Sequence, residues 1–131
     1  MKLPIHLSRW AWRPWLSATV IVIGLSLQTE GGRAAELVAF ESKTCPYCLE
    51  FEAEGAPRYR ASPEATRAPL RVVEIEDPLP PDLKDVAPPV GTPTFVLIVR
   101  GKEVGRIAGY DPGSFYGALD RLLMRNKVAT R

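Results

Sequence analysis

A chain of 131 residues, 46% of them hydrophobic, suits one globular domain and is too short for several sizeable cores. Its net charge of +2 is too small to point to nucleic acid, and it is unevenly placed. Setting aside Lys2, Arg9, Arg13, Arg33 and Glu30 leaves 13 basic and 14 acidic residues from Glu36 onward, a net of −1.

Residues 1–35 read as an export signal. Lys2, Arg9 and Arg13 form a positive start, Leu16 to Leu27 is an uncharged and mostly apolar run, and small residues follow at Gly31, Gly32, Ala34 and Ala35. A spanning helix needs about 20 apolar residues, and Arg13 cuts this run off. The expectation is cleavage near Ala34 or Ala35 and residence in the periplasm, with retention as a membrane anchor as the alternative. Arg9 and Arg13 are not adjacent, so a twin-arginine signal is not supported. His6, Trp10, Trp12 and Trp15 all lie in this segment. A processed domain of residues 36–131 therefore has no histidine, which excludes Cys-His proteolysis and histidine-ligated metal from it.

The run Leu37-Val38-Ala39-Phe40 within Glu36 to Ser42 predicts a short buried strand. It leads into Cys45-Pro46-Tyr47-Cys48, which holds both cysteines of the chain at the start of a helix. Thiols at this spacing lie close enough to close a disulfide or to attack one, and the chemistry expected is thiol-disulfide exchange. The thiolate is the attacking species, and a helix N-terminus presents unpaired N–H groups, so Cys45 is the expected nucleophile with a lowered pKa. Pro46 suits the first helical position, where no N–H is missed. Tyr47 is expected to tune thiol reactivity and client contact. Cys48, one turn on and less exposed, would resolve the mixed disulfide. A purely structural bridge here would close almost no chain, and zinc would lack its remaining ligands, so no metal and no cofactor are expected.

Cys48 and Phe51 share one helix face, Glu50, Glu52 and Glu54 face solvent, and Gly55 and Pro57 are expected to end or kink the helix. Ser62-Pro63-Glu64 opens a further turn to Arg67. Leu70 to Ile75 is a second strand. The segment from Asp77 to Pro93 carries six prolines and cannot be a central strand; it reads as an ordered loop crossing between parallel strands, with a helical turn or two within Asp82 to Ala87. Thr94 to Val99 is an apolar run expected of a central strand covered on both faces, and Glu103 to Gly109 is its antiparallel partner across a turn at Arg100-Gly101-Lys102. Asp111 caps the last helix, whose stripe is Phe115, Ala118, Leu119, Leu122 and Leu123. The order β-α-β-(short helix or loop)-β-β-α predicts a small α/β layer structure, with helices on both faces of a mixed sheet.

The Cys-Pro-Tyr-Cys helix, Gly91-Thr92-Pro93-Thr94-Phe95 and Gly109-Tyr110 together resemble the thioredoxin superfamily over about Leu37 to Lys127. The resemblance implies a minimal thioredoxin-like fold in which the Thr92–Pro93 bond is cis and faces the cysteines, Thr92 pairing with an incoming peptide as an added strand. Glutaredoxins share the Cys-Pro-Tyr-Cys sequence, but Gly109-Tyr110-Asp111 lacks the double glycine that holds glutathione. Against thioredoxin proper, Thr44 stands where a tryptophan is usual and Ala39 where a buried aspartate relays the second cysteine's proton. That task would fall to Glu41, Lys43 or water. The segment Glu76-Asp77-Pro78-Leu79-Pro80 and Thr92-Pro93-Thr94-Phe95-Val96-Leu97 are similar to small exported thioredoxins of bacterial sulfur oxidation, the SoxS type. That likeness implies a reductase acting on a cysteine of the sulfur-carrier protein; the expectation here is a monomer re-reduced by a membrane electron shuttle. Two alternatives stay open: a disulfide donor running the same chemistry backwards, and a non-enzymatic Cu(I) carrier.

Overall fold

The computed structural model describes residues 34–129; residues 1–33 of the expected export signal or anchor lie outside them, and Ala35 belongs to the first strand. Strand β1 (Ala35–Glu41) leads through a tight turn into helix α1 (Pro46–Glu50). A π turn (Phe51–Gly55) and helix α2 (Ala56–Arg60) follow without an intervening residue. Next come helix α3 (Pro63–Arg67), strand β2 (Leu70–Glu74), a 3₁₀ turn (Pro81–Leu83), strands β3 (Thr94–Val99) and β4 (Lys102–Ala108), and helix α4 (Phe115–Arg125).

Four strands form one sheet in the order β2-β1-β3-β4, with β1 parallel to β2 and antiparallel to β3, and β3 antiparallel to β4. The two central strands alternate strictly between faces. Leu37 and Ala39 of β1 and Phe95 and Leu97 of β3 join Phe51, Tyr59, Phe115, Leu119 and Leu123 in one cluster. Val38 and Phe40 of β1 and Val96 and Ile98 of β3 join Val73, Leu83 and Val86 in the other. That is why both strands read as continuous apolar runs. The π turn and helices α2 and α4 supply the first cluster, whereas the second face is covered by the proline-rich segment and its 3₁₀ turn. Helical cover on both faces thus takes an unequal form.

Two expectations need correction. The proline-rich segment does not cross between parallel strands: β2 and β3 run opposite ways and are separated by β1. A parallel pair is made only by β1 and β2, through the helical crossover. The first helix also does not end at Gly55 and Pro57; its α-helical pattern is interrupted there by the π turn and then resumes. A proline ring clashes with the carbonyl four residues back, at Ala53, and cannot donate to it. The π turn accommodates this, the Ala56 N–H reaching back five residues to the Phe51 carbonyl. Gly55 is needed for a second reason: a Cβ there would lie 2.4 Å from Phe51 Cδ2 and 2.7 Å from the Tyr110 hydroxyl. The smallest residue lets the helix settle onto an aromatic cluster in which Phe95 packs edge-on against both Phe51 and Phe115, with ring centroids 4.7 Å apart.

Asp111 acts one turn before α4, its carboxylate accepting from the Ser114 N–H at 2.9 Å and the Ser114 hydroxyl at 2.6 Å. Across the sheet, Arg71 of β2 donates to Asp82 at 2.6 Å and pairs with Glu36 at 3.6 Å, which ties the proline-rich segment to the strands beneath it.

Candidate active site

Cys45 sits as the N-cap of α1 with extended backbone (φ −84°, ψ 115°), and its sulfur accepts the Cys48 N–H at 3.2 Å. Its carbonyl accepts from the Cys48 and Leu49 N–H groups, both at 3.1 Å. Pro46 occupies the first helical position, as its missing N–H allows, and Tyr47 next to it is exposed. The turn before the helix is held by the Cys45 N–H, which donates to the Ser42 carbonyl at 3.0 Å. The helix cap therefore aims the Cys45 sulfur outward while Cys48, only 2% exposed, turns inward.

The loop before β3 meets the sulfur from the other side. The Thr92–Pro93 peptide bond is cis, and the Cys45 thiol, when protonated, donates to the Thr92 carbonyl at 3.3 Å. Pro93 is buried, and its carbonyl accepts the Gly109 N–H at 2.8 Å, where Gly109 has φ +77°. A left-handed residue without a side chain lets the chain turn there and brace the loop. Val90, fully exposed, stands at the rim of a groove of about 200 Å³ that runs past Gly91, Thr92 and Pro93.

The two thiols are driven apart. Burial pulls Cys45 up, but hydrogen bonding with Cys48 and Thr92 and with the backbone N–H groups of Cys48 and Tyr47 outweighs it, leaving the thiol below its ordinary 9.0. For Cys48, burial comes first and the hydrogen bond it makes to Cys45 adds to it, pushing the thiol up to about 11 despite a backbone hydrogen bond from Ser42. One sulfur is prepared to attack, the other held back as a thiol.

Of the residues expected here, Cys45, Cys48, Thr92 and Pro93 come together. Lys43 is exposed and makes no hydrogen bond to either cysteine among the described residues. Glu41 ends β1, is 2% exposed, and its Oε1 has no partner among the described residues. Its carboxyl is raised to about 7, first by burial and then by Glu52 and Glu74, with Arg60 pulling the other way. Glu74 is its register partner in β2 and likewise has a buried, unpaired oxygen, Oε2. Ser42 was missed. Besides touching Cys48 it donates to Glu76 at 2.5 Å, linking the active-site turn to the proline-rich segment. A serine between strand and cap is a common turn residue, and nothing in its spacing marks the second contact.

A capped Cys-Pro-Tyr-Cys helix facing a cis-proline loop, on this mixed sheet, defines a thiol-disulfide oxidoreductase. No protein-family model and no curated protein matches the chain. Among solved structures it is similar to the reduced periplasmic thioredoxin SoxS from Paracoccus pantotrophus, with 38% identity, a TM-score of 0.65, and cover of 70% of this chain and 98% of that one. Thioredoxins from Malassezia sympodialis (17% identity, TM-score 0.57, 67% of this chain and 74% of that one) and Fasciola hepatica (23%, 0.51, 66% and 79%) share the fold. The chain belongs to the thioredoxin superfamily.

Proposed function

We propose that the protein is an exported, periplasmic reductase that opens a disulfide, or removes a persulfide, on a client protein. The observation that carries this reading is the split between the cysteines: an accessible Cys45 held below 9.0 and a buried Cys48 at about 11. The Cys45 thiolate attacks one client sulfur, forming a mixed disulfide and expelling the other sulfur as a thiolate. Cys48 then loses its proton and attacks the Cys45 sulfur. The client leaves as a dithiol, and two electrons have passed to it from the Cys45–Cys48 pair, now a disulfide. A membrane electron shuttle that returns two electrons completes the cycle.

Thr92 supports client binding: its carbonyl lies against Cys45, and an extended peptide laid along the groove would pair with its backbone. We assign the Cys48 proton to Glu41, because Glu41 precedes Ser42, whose N–H contacts Cys48, and because a carboxyl near 7 is matched to accept a proton at neutral pH. The SoxS-type likeness favours a sulfur-carrier protein as client and the periplasm as compartment. A Cys48→Ser variant, expressed in the native host, is expected to accumulate mixed disulfides that collapse on reduction, with the sulfur carrier among them. Absence of any trapped client, with Cys45 intact, would overturn the reading.

A further inference from the structure

A second groove, of about 240 Å³, lies on the sheet face away from α1, between β2 and the proline-rich segment. Phe40, Val73 and Val86 form its floor, with Pro88 and Pro89 closing one side. Ile75 and Leu79 line it while remaining 49% and 44% exposed, so their apolar surface is unmatched within the fold. Charge surrounds it unevenly. Residues 75–89 carry four carboxylates (Glu76, Asp77, Asp82 and Asp85) against the single Lys84; among the described residues Asp82 is paired with Arg71, and Lys43 lies near Glu76. Asp77 lines the groove itself, whereas the Glu74 carboxylate lies beside Glu41 with its Oε2 buried. Such a rim repels anionic lipid and nucleic acid and attracts a cationic chain. The groove is also joined to the catalytic turn, through the Ile75 N–H on the Glu41 carbonyl at 2.9 Å and Ser42 on Glu76 at 2.5 Å.

We propose that this groove docks an apolar segment bearing lysine or arginine on the client protein, distinct from the strand of the client that carries its disulfide to Cys45. The inference rests on the reductase reading and adds the partner's chemistry to it. Apolar side chains of the segment cover Ile75 and Leu79, and its cations meet Asp77 and the carboxylates beside it. The docked segment holds the client while the cis-proline groove presents the sulfur.

The test uses the full chain and two short peptides, each with one cysteine capped as a mixed disulfide with thionitrobenzoate. One carries a leucine-lysine tail, the other a leucine-glutamate tail, and dithiothreitol recycles the enzyme. The basic peptide is expected to show about fivefold to tenfold higher kcat/KM, through KM, the size given by exchanging like-charge contacts at the rim for exposed ion pairs. Leu79→Ser and Asp77→Asn should each remove most of that preference, while Met124→Ser, on the exposed side of α4, should keep it. Amide resonances of Ile75, Leu79 and Val86 should shift with the leucine-lysine tail lacking its cysteine. Equal kcat/KM for the two tails, or a preference that survives Leu79→Ser, overturns the proposal. So does concentration dependence of the same resonances without peptide, which would put a second copy of the chain in the groove. Turnover of a small disulfide without a tail measures the chemistry by itself: its loss in the wild type would sink the reductase reading, while the resonance shifts would still report on the groove.

Discussion

Replacing Glu41 by glutamine tests whether an acid is held inside the domain without compensation. The carboxyl is 2% exposed, one oxygen lacks a partner, and Glu52 and Glu74 lie near it with only Arg60 opposing. The rise from 4.5 to about 7 corresponds to about 3 kcal/mol at about 1.4 kcal/mol per tenfold change. The sign follows from proton counting. Between these two values the folded state binds a proton that the unfolded chain has released, so folding becomes less favourable as pH rises through the window and levels off above 7. Glutamine keeps the shape and cannot ionise. Urea unfolding at about pH 4 and about pH 8 should show the variant and wild type alike in acid, and the variant about 2 to 3 kcal/mol more stable in base, with an unchanged urea slope. Glu76 and Asp82, held below their ordinary values by Ser42 and Arg71, titrate on the acid side and cancel in the difference. Parallel stability curves for the two proteins across the window would refute the argument.

Gly55→Ala should destabilise the fold by about 1 to 3 kcal/mol, since the new methyl meets Phe51 and Tyr110 in a packed cluster; a midpoint in thermal unfolding unchanged from wild type would contradict the close approach. Alkylation of the reduced protein by iodoacetamide should modify Cys45 first, with a midpoint below 9.0, while Cys48 stays protonated until about 11. A single midpoint at or above 9.0 would remove the basis for assigning the nucleophile.

Much of this architecture was legible because the responsible physics is local. The alternation of β1 and β3 between two apolar clusters shows in the sequence as unbroken runs, and the Cys45 cap shows as a proline in the next position. What was misread depends on partners far away in the chain. Gly55 and Pro57 carry the marks of a helix end, and only a bond reaching back five residues, with an aromatic cluster waiting above, lets the helix continue. The direction of β3 relative to β2 is settled by how β1 is shared between them, which no feature of the proline-rich segment encodes. Glu41 was named with Lys43 and water as a proton acceptor, and what separates it from Lys43 is burial beside Glu74, a strand partner far along the chain.

The same variant bears on the chemistry as well as on stability. A thiol at about 11 is ionised to roughly one part in ten thousand at neutral pH, so ring closure by Cys48 is limited by where its proton can go. If Glu41 receives it, closure should slow as pH falls through about 7, because a protonated carboxyl cannot accept. In single-turnover experiments with the symmetric disulfide of thionitrobenzoate, the first step, attack by Cys45 that expels one thionitrobenzoate and leaves the other as a mixed disulfide on Cys45, should be untouched by Glu41→Gln. The second, formation of the Cys45–Cys48 disulfide, should drop about tenfold to a hundredfold and lose its midpoint near 7. A second step as fast in the variant, with the same pH midpoint, would hand the proton to water and leave Glu41 only its effect on stability.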